Sequence, residues 1–480
     1  MAQLALPHPV LTRCGARALV ATLLCGCALW HAPPREVLVH DALPEGTTIP
    51  PTFAGPAAAG EVANDWLASF DDPGMRAVVK EAIAYNLDLR AAAASVEIAR
   101  ETVTVVGAAL LPQVGAVVGG TRTRDDEHGH AFNSQVEYVG ITWEIDLWGQ
   151  LRAERAAAQA QYEATALAYA FARQSLAATT AKSWYLAIET RLLLDLAQQD
   201  LEVYRRLSDL VGQRYAAGKV GRLDVAEAAA SVSQAEASVR AAQAADLEAR
   251  RSLELLVGRY PDAEIRVAPS FPPVPAPVPP GLPASLLERR PDLVAAEQRV
   301  LAAFRTREAT ELSLFPSFSL SLEGGHFDLG VLSILRLNPW LLHGGLGMNV
   351  PIYEGGALVA QVRISTAEQS QAVALYGNAM LEAFREAEAA LANEWLLDEQ
   401  IRFAEDSMTE RTEAVRMVTL KYQAGSTDLL SVLQIQTALI ATQADVIQLR
   451  NAQLANRINL HLAVGGSFDA ANAAALPATP

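Results

Sequence analysis

Two hydrophobic periods alternate along this chain. From Glu137 apolar and polar positions alternate clearly: Val139, Ile141, Trp143, Ile145 and Leu147 share one face, which Glu137 opens, and Tyr138, Gly140, Thr142, Glu144 and Asp146 share the other. A period of two with one apolar face predicts a strand, and about ten residues is the length of a tilted membrane strand. Phe318, Leu320 and Leu322 against Ser317, Ser319 and Ser321 repeat the pattern, as do Leu342, Gly344, Leu346, Met348, Val350 and Ile352. A fourth, glycine-rich segment runs from Val114 to Arg124. The predicted strands cover about 113–124, 135–147, 315–326 and 340–352.

Between the strands the period lengthens. A helical pattern starts at Asp72-Pro73 and ends before Pro112. No Gly or Pro interrupts Gln150 to Val211, which would make roughly 90 Å of unbroken helix. The helix from Arg222 to Val257 carries Val225, Ala228, Val232, Ala235, Val239, Ala242, Asp246, Ala249, Leu253 and Leu256 at alternating spacings of three and four. The last helix carries Val432, Ile435, Leu439, Thr442, Val446, Leu449, Gln453, Asn456, Leu460 and Ala463 at the same spacings. This is a heptad seam whose small residues let helices approach closely, and such a stripe needs a neighbouring helix to bury it.

The chain is a repeat. "RYAAG" (Tyr215 to Gly218) returns as "KYQAG" (Tyr422 to Gly425), an offset of roughly 207 residues. "NLDLRAA" from Asn86 is echoed by "RPDLVAA" from Arg290, and "LLVG" from Leu255 by "LAVG" from Leu462. The boundaries follow: a first repeat at 66–265, a Pro-rich linker at 266–285, a second repeat at 286–466 and a disordered tail at 467–480. Each repeat contributes two strands. Four strands cannot close a barrel, and an open sheet edge in lipid leaves backbone groups unpaired. Several identical chains can pool their strands, and three would supply twelve. The alternative is a soluble sheet packed on helices.

The N-terminus changes the picture further. Arg13 and Arg17 precede a short apolar run, "ALVATLL", and then "LCGC". This predicts a lipoprotein signal at 1–26, with lipid on Cys27 and an extended, lipid-anchored segment at 27–65; the alternative is an ordinary signal peptide cut near Ala28. Cys14 and Cys25 would leave with the signal, so no disulfide is expected. The net charge of -16 comes with no basic stripe, which argues against nucleic acid.

"WEIDLWGQLRAERAAAQAQYEA" from Trp143, "LLERRPDLVAAEQRV" from Leu286 and "VPIYEGGALVAQV" from Val350 resemble signature segments of the outer membrane efflux protein family, the TolC-type outer membrane factors. The lipoprotein signal resembles that of the family's NodT-like branch. The resemblance runs from about Trp66 to Gly465. It implies a mainly α fold with a membrane β-barrel, namely a long coiled-coil α-barrel and a twelve-stranded β-barrel shared by a homotrimer. It also implies passive export of small toxic compounds from periplasm to exterior. The partners it implies are a periplasmic adaptor, an inner-membrane transporter of the resistance-nodulation-division type and outer-membrane lipid. It places Tyr215, Gly218, Tyr422 and Gly425 at adaptor-contact tips. It places a constriction at Leu430, Ser431 and Gln434, with Asp224 and Glu227 as first-repeat counterparts; Gln434 and Ser431 stand where family members carry acids. Alternatives are a duct for secreted proteins and a lipid-tethered coiled-coil scaffold without a pore.

No catalytic constellation, cofactor motif or metal site is expected. "DDEHGH" (Asp125 to His130) and the pair His326 and Asp328 read as loops between barrel strands, since clustered acids and histidines without ligand spacing are a weak metal signal. Tyr138, Trp143, Phe327 and Trp340 suit aromatic girdles or plain packing.

Overall fold

The computed structural model describes residues 33–55, 60, 62–125, 130–328 and 340–469. In chain order these form α1 (Arg35–Ala42), α2 (Trp66–Ser69), α3 (Pro73–Tyr85), α4 (Leu87–Ala108), β1 (Gln113–Asp125), β2 (His130–Ile145), α5 (Gln150–Ala216) and α6 (Arg222–Leu256). A 3-10 turn (Pro283–Ser285) leads into α7 (Leu286–Arg289), α8 (Pro291–Leu312), β3 (Ser317–Asp328), β4 (Trp340–Asn349), α9 (Ala357–Ala424) and α10 (Leu429–Ala463). The signal segment, Cys27 and most of the 125–130 loop lie outside the described residues. The chain divides into two compact bodies. One takes in Val96–Thr165 and Ala296–Asn378 with the segment up to Glu45, and the other takes in Gly46–Ser95, Ala166–Ala295 and the chain from Ala379.

The first body holds the sheet. Its four antiparallel strands lie in the order β1-β2-β3-β4. The register pairs Val114 with Ile141, Ile141 with Leu322, and Trp143 with Leu320 and through it Leu346. Directly paired residues share a face. One face is therefore apolar across all four strands, and Val114, Val118, Val139, Ile141, Leu320, Leu322, Leu342 and Leu346 on it are exposed. The other face carries Gly140, Thr142, Ser319, Ser321, Gly345 and Gly347. Beyond β2, the Asp146 carboxylate gathers the amides of Gly149 (3.0 Å), Leu151 (3.2 Å) and Arg152 (3.1 Å) together with the Arg152 guanidinium (2.9 Å). It thereby satisfies the donors left open where α5 begins.

Three expectations are corrected. The segment 27–65 is not extended throughout: residues 35–42 form α1 on Pro34, with Leu38 buried and Arg35 bonded to Glu297 at 2.8 Å. A Cβ at Gly377 would collide with the Ala42 carbonyl oxygen, so the chain at the end of α1 rests directly on backbone. The helical pattern before Pro112 is two helices. Asn86 between them is extended, accepts the Leu89 amide (2.9 Å) and donates to the Leu256 carbonyl (3.0 Å). The tail is packed as far as Asp469: Phe468 is buried, and its amide donates to Gln174 (3.0 Å).

The second body holds the paired helices. Nearly every seam position is buried or half-buried, among them Ala228, Ala235, Val239, Asp246, Ala249 and Leu253 on α6 and Val432, Leu439, Thr442, Val446, Asn456 and Leu460 on α10. By length and composition α10 alone among the described helices could cross a membrane, yet this seam packs inside its own body. The repeat extends to hydrogen bonding. Asn86 reaches the last carbonyl of α6, and its counterpart Arg290 reaches the last carbonyl of α10, Ala463, at 3.4 Å while pairing with Asp292 and Glu386. Both helices close on a left-handed glycine, Gly258 or Gly465, with the next amide bonded five residues back. This is the Schellman closure. The Pro-rich linker offers carbonyls and few amides, and Arg457 donates to those of Pro275 and Ala276.

The counterparts Glu254 and His461 have diverged. Glu254 accepts the Ala263 and Ile265 amides (2.7 and 2.8 Å). His461 is buried beside Trp66 and Phe70, neither ring nitrogen has a partner among the described residues, and burial pushes its pKa down to about 3.

Two outcomes follow. Leu253 is fully buried and Leu255, on the same helix, is 70% exposed. Chemical denaturation should show Leu253→Ala costing about 2–5 kcal/mol and Leu255→Ala about 0.5 kcal/mol or less. For His461 the unfolded chain binds a proton below pH ~6.5 and the folded chain does not until about 3. Stability therefore falls as pH drops through that window. His461→Phe should lose less melting temperature between pH 7 and 4.5 than the parent; equal losses would reject the assignment.

Candidate functional site at the hairpin tips

Each long helix of the repeat ends the same way. Gly218 and Gly425 have φ of 69° and 78°, a region that glycine enters freely. The amide of Lys219 bonds Arg214 O (2.9 Å), and that of Ser426 bonds Lys421 O (2.9 Å). The returning helices then start with their carboxylate exchanged. At α6 the carboxylate sits inside the helix, where Asp224 accepts the Gly221 amide at 2.9 Å. At α10 it sits before the helix, where Asp428 accepts the Ser431 amide at 2.9 Å. Hydrogen bonds from the Ser431 side chain, then its amide, hold the Asp428 carboxyl below its usual range. Ser431 stands at the position equivalent to Asp224, and the capping carboxylate there is Asp428.

The two tips are pinned together. Leu207, Val211, Ala228, Val418, Tyr422, Leu429, Val432 and Leu433 form one apolar cluster. Above it the Arg214 guanidinium lies 4.4 Å from the Tyr422 ring centroid and donates to the carbonyls of Tyr422 and Gln423. A cation at a helix C-terminus meets the negative end of its dipole and its open carbonyls. The matched tyrosines therefore differ: Tyr215 is 45% exposed and Tyr422 is 1% exposed, so Tyr215 is the one with surface to offer. Arg214 and Asp428 are missing from the sequence-predicted set. Their signals were a basic residue in the last turn and an acid before an apolar run.

Two of the predicted constriction residues, Leu430 and Gln434, lie on one exposed strip. Leu430 (57% exposed) and Gln434 begin an exposed line that continues through Thr437, Ala441, Asp445 and Gln448, opposite the buried seam. Ser431 is half-buried at its margin. In the first repeat Glu227 is exposed and Asp224 is half-buried and engaged in capping. The strip carries an apolar step, then neutral Gln434, Thr437 and Ala441, with its first carboxylate at Asp445. Among the described residues no group of three or more His, Cys, Asp or Glu could hold a metal.

The sequence profile described as outer membrane efflux protein matches residues 78–259 and 282–466. The chain belongs to the outer membrane efflux protein family. It is similar to the antibiotic efflux pump outer membrane protein ArpC of Pseudomonas putida, at 29% identity over 94% of this chain and 95% of that protein. It is also similar to the toluene efflux pump outer membrane protein TtgC of the same species, at 28% identity over the same shares. In fold it matches the outer-membrane channel OprN with a TM-score of 0.80, at 24% identity, over 92% of this chain and all of that one. As a member of the outer membrane efflux protein family, the chain is an outer-membrane channel component: the sheet is its membrane part and the paired helices its periplasmic α-barrel.

Arg214→Ala should free the Tyr422 and Gln423 carbonyls and unlatch the tip. Hydrogen exchange of the amides from 422 to 428 is expected to quicken at least about tenfold, the equivalent of roughly 1.4 kcal/mol, with Arg214→Lys intermediate. Unchanged protection would show that the guanidinium holds nothing there.

Proposed function

We propose that three copies of this chain form one passive exit duct of a tripartite efflux pump. The observation that carries the proposal is the sheet: four strands with an exposed apolar face, and outer edges on β1 and β4 that no strand of the same chain covers among the described residues. In hydrocarbon those edges must pair, and a closed ring of three sheets gives twelve strands, with apolar faces toward lipid and the glycine, serine and threonine faces toward water. Lipid on Cys27 would add an anchor in the outer membrane.

The helical hairpins would continue the duct into the periplasm. The exposed Tyr215, with Gly218 and Gly425 at the turns, would meet a periplasmic adaptor, and an inner-membrane transporter of the resistance-nodulation-division type would supply the energy. Where the strips from three copies face one another, Leu430 would make the narrowest ring, with Gln434 one turn above it. Neutral glutamine in place of a carboxylate predicts weak cation selectivity. The duct performs no covalent chemistry. Small toxic compounds are the cargo supported by the names of ArpC and TtgC.

Purified protein in planar bilayers should show discrete conductance steps. Leu430→Ala should at least double the open-state occupancy or unit conductance, and Leu430→Trp should lower it. Folded protein without conductance would favour the coiled-coil scaffold, and conductance indifferent to residue 430 would move the constriction elsewhere.

A further inference from the structure

A cleft of about 580 Å³ lies in the second body between α5, α6 and α10. Its walls are mostly apolar, from Leu193 and Leu196 on α5 to Ile440 and Ala444 on α10. Asp200 lines this cleft and is 8% exposed. It makes no hydrogen bond and no ion pair with any described residue. Its oxygens keep access to solvent through the open side of the cleft, no cation or donor meets them there, and partial burial pushes the carboxyl pKa up to about 6. One turn further along α5, Tyr204 reaches across to Thr437 at 3.3 Å and closes one end of the cleft. The titratable groups on the walls are Asp200 and Tyr204, both from α5; α6 contributes Ser231 and Gln234, and α10 contributes Thr437.

We infer that this cleft is a binding site for a lipophilic organic cation, whose charge would meet Asp200 while its apolar body fills the space between Leu196 and Ile440. Three features select that class. The one charge is negative and lacks a counterion. The surrounding walls reward apolar surface. The volume is that of a pocket for a drug-sized molecule. An anion would face the carboxylate, and a small hydrated metal ion would leave the apolar walls empty. The inference is independent of the channel reading: it concerns equilibrium binding to the purified protein, whatever the duct conducts.

The probe is tetraphenylphosphonium, with tetraphenylborate as the anion of the same size and shape. Equilibrium binding to purified, detergent-solubilised protein is measured against detergent alone. Saturable binding of the phosphonium and none of the borate is expected at pH 7.5. Asp200→Asn should weaken phosphonium binding at least about tenfold. Asp209→Asn, the same charge change at an exposed position of α5, should leave it within about twofold. Ser231→Phe keeps the carboxylate and fills the cleft, so it should also abolish binding. Lowering the pH to 5 should weaken binding roughly tenfold, since only about a tenth of a carboxyl with a pKa near 6 stays ionised there. Equal binding of both ions, or phosphonium binding that survives both Asp200→Asn and Ser231→Phe, would overturn the site. A protein that conducts in bilayers and binds no phosphonium would lose this inference and keep the channel reading.

Discussion

An unpaired backbone edge in hydrocarbon is the constraint on which the rest depends. The sheet of this chain exposes an apolar face on every strand, as a sheet in lipid does, and among the described residues it ends in two open edges. Water would satisfy such edges, and lipid cannot. On the proposed reading the strands belong to a cylinder that several chains complete together. The facing residues agree: glycine and serine leave room for a lumen, whereas a buried soluble sheet would need bulk on both faces.

The helical body solves the complementary problem in water. Alanine-rich stripes on α6 and α10 gain little from burial one by one, but their spacing of three and four lets backbones come close over many turns. The duplication runs deeper than the stripe. Tip glycines, closing glycines and the contact from Asn86 or Arg290 to the final helix carbonyl all recur. What diverged is polar. Asp224 and Asp428 cap equivalent helices from opposite sides of the first turn, and Glu254 and His461 occupy equivalent buried places with unrelated partners. Backbone geometry was kept in duplicate while charge was free to differ, which suits two hairpins with different neighbours.

The strands, the long helices, the seam and the repeat were all legible in the sequence, because each is a periodic property of side-chain polarity. Glycine at the tips was legible because few other residues accept positive φ. Contacts made by single side chains across hundreds of residues were not. Nothing in the spacing tells that Arg214 lies on the Tyr422 ring, that Arg457 holds the proline linker, or that Asp200 lines an apolar cleft without a cation. The short helix α1 was hidden by flanking prolines, which read as extended chain although Pro34 stands where a helix can start. Tyr422 and Tyr215 look equivalent in sequence and differ in burial because only Tyr422 packs into the apolar cluster beneath Arg214.

Cross-linking between the two outer strands tests the pooled sheet most directly. Single cysteines placed along β1 and along β4, combined pairwise in the chain with Cys27 kept and oxidised in the outer membrane, report which strands touch between copies. The account predicts that pairs in one antiparallel register yield covalent species of two and three chains and none larger. Exclusively monomeric product at every register, or a ladder extending past three, would contradict a closed cylinder built from three sheets.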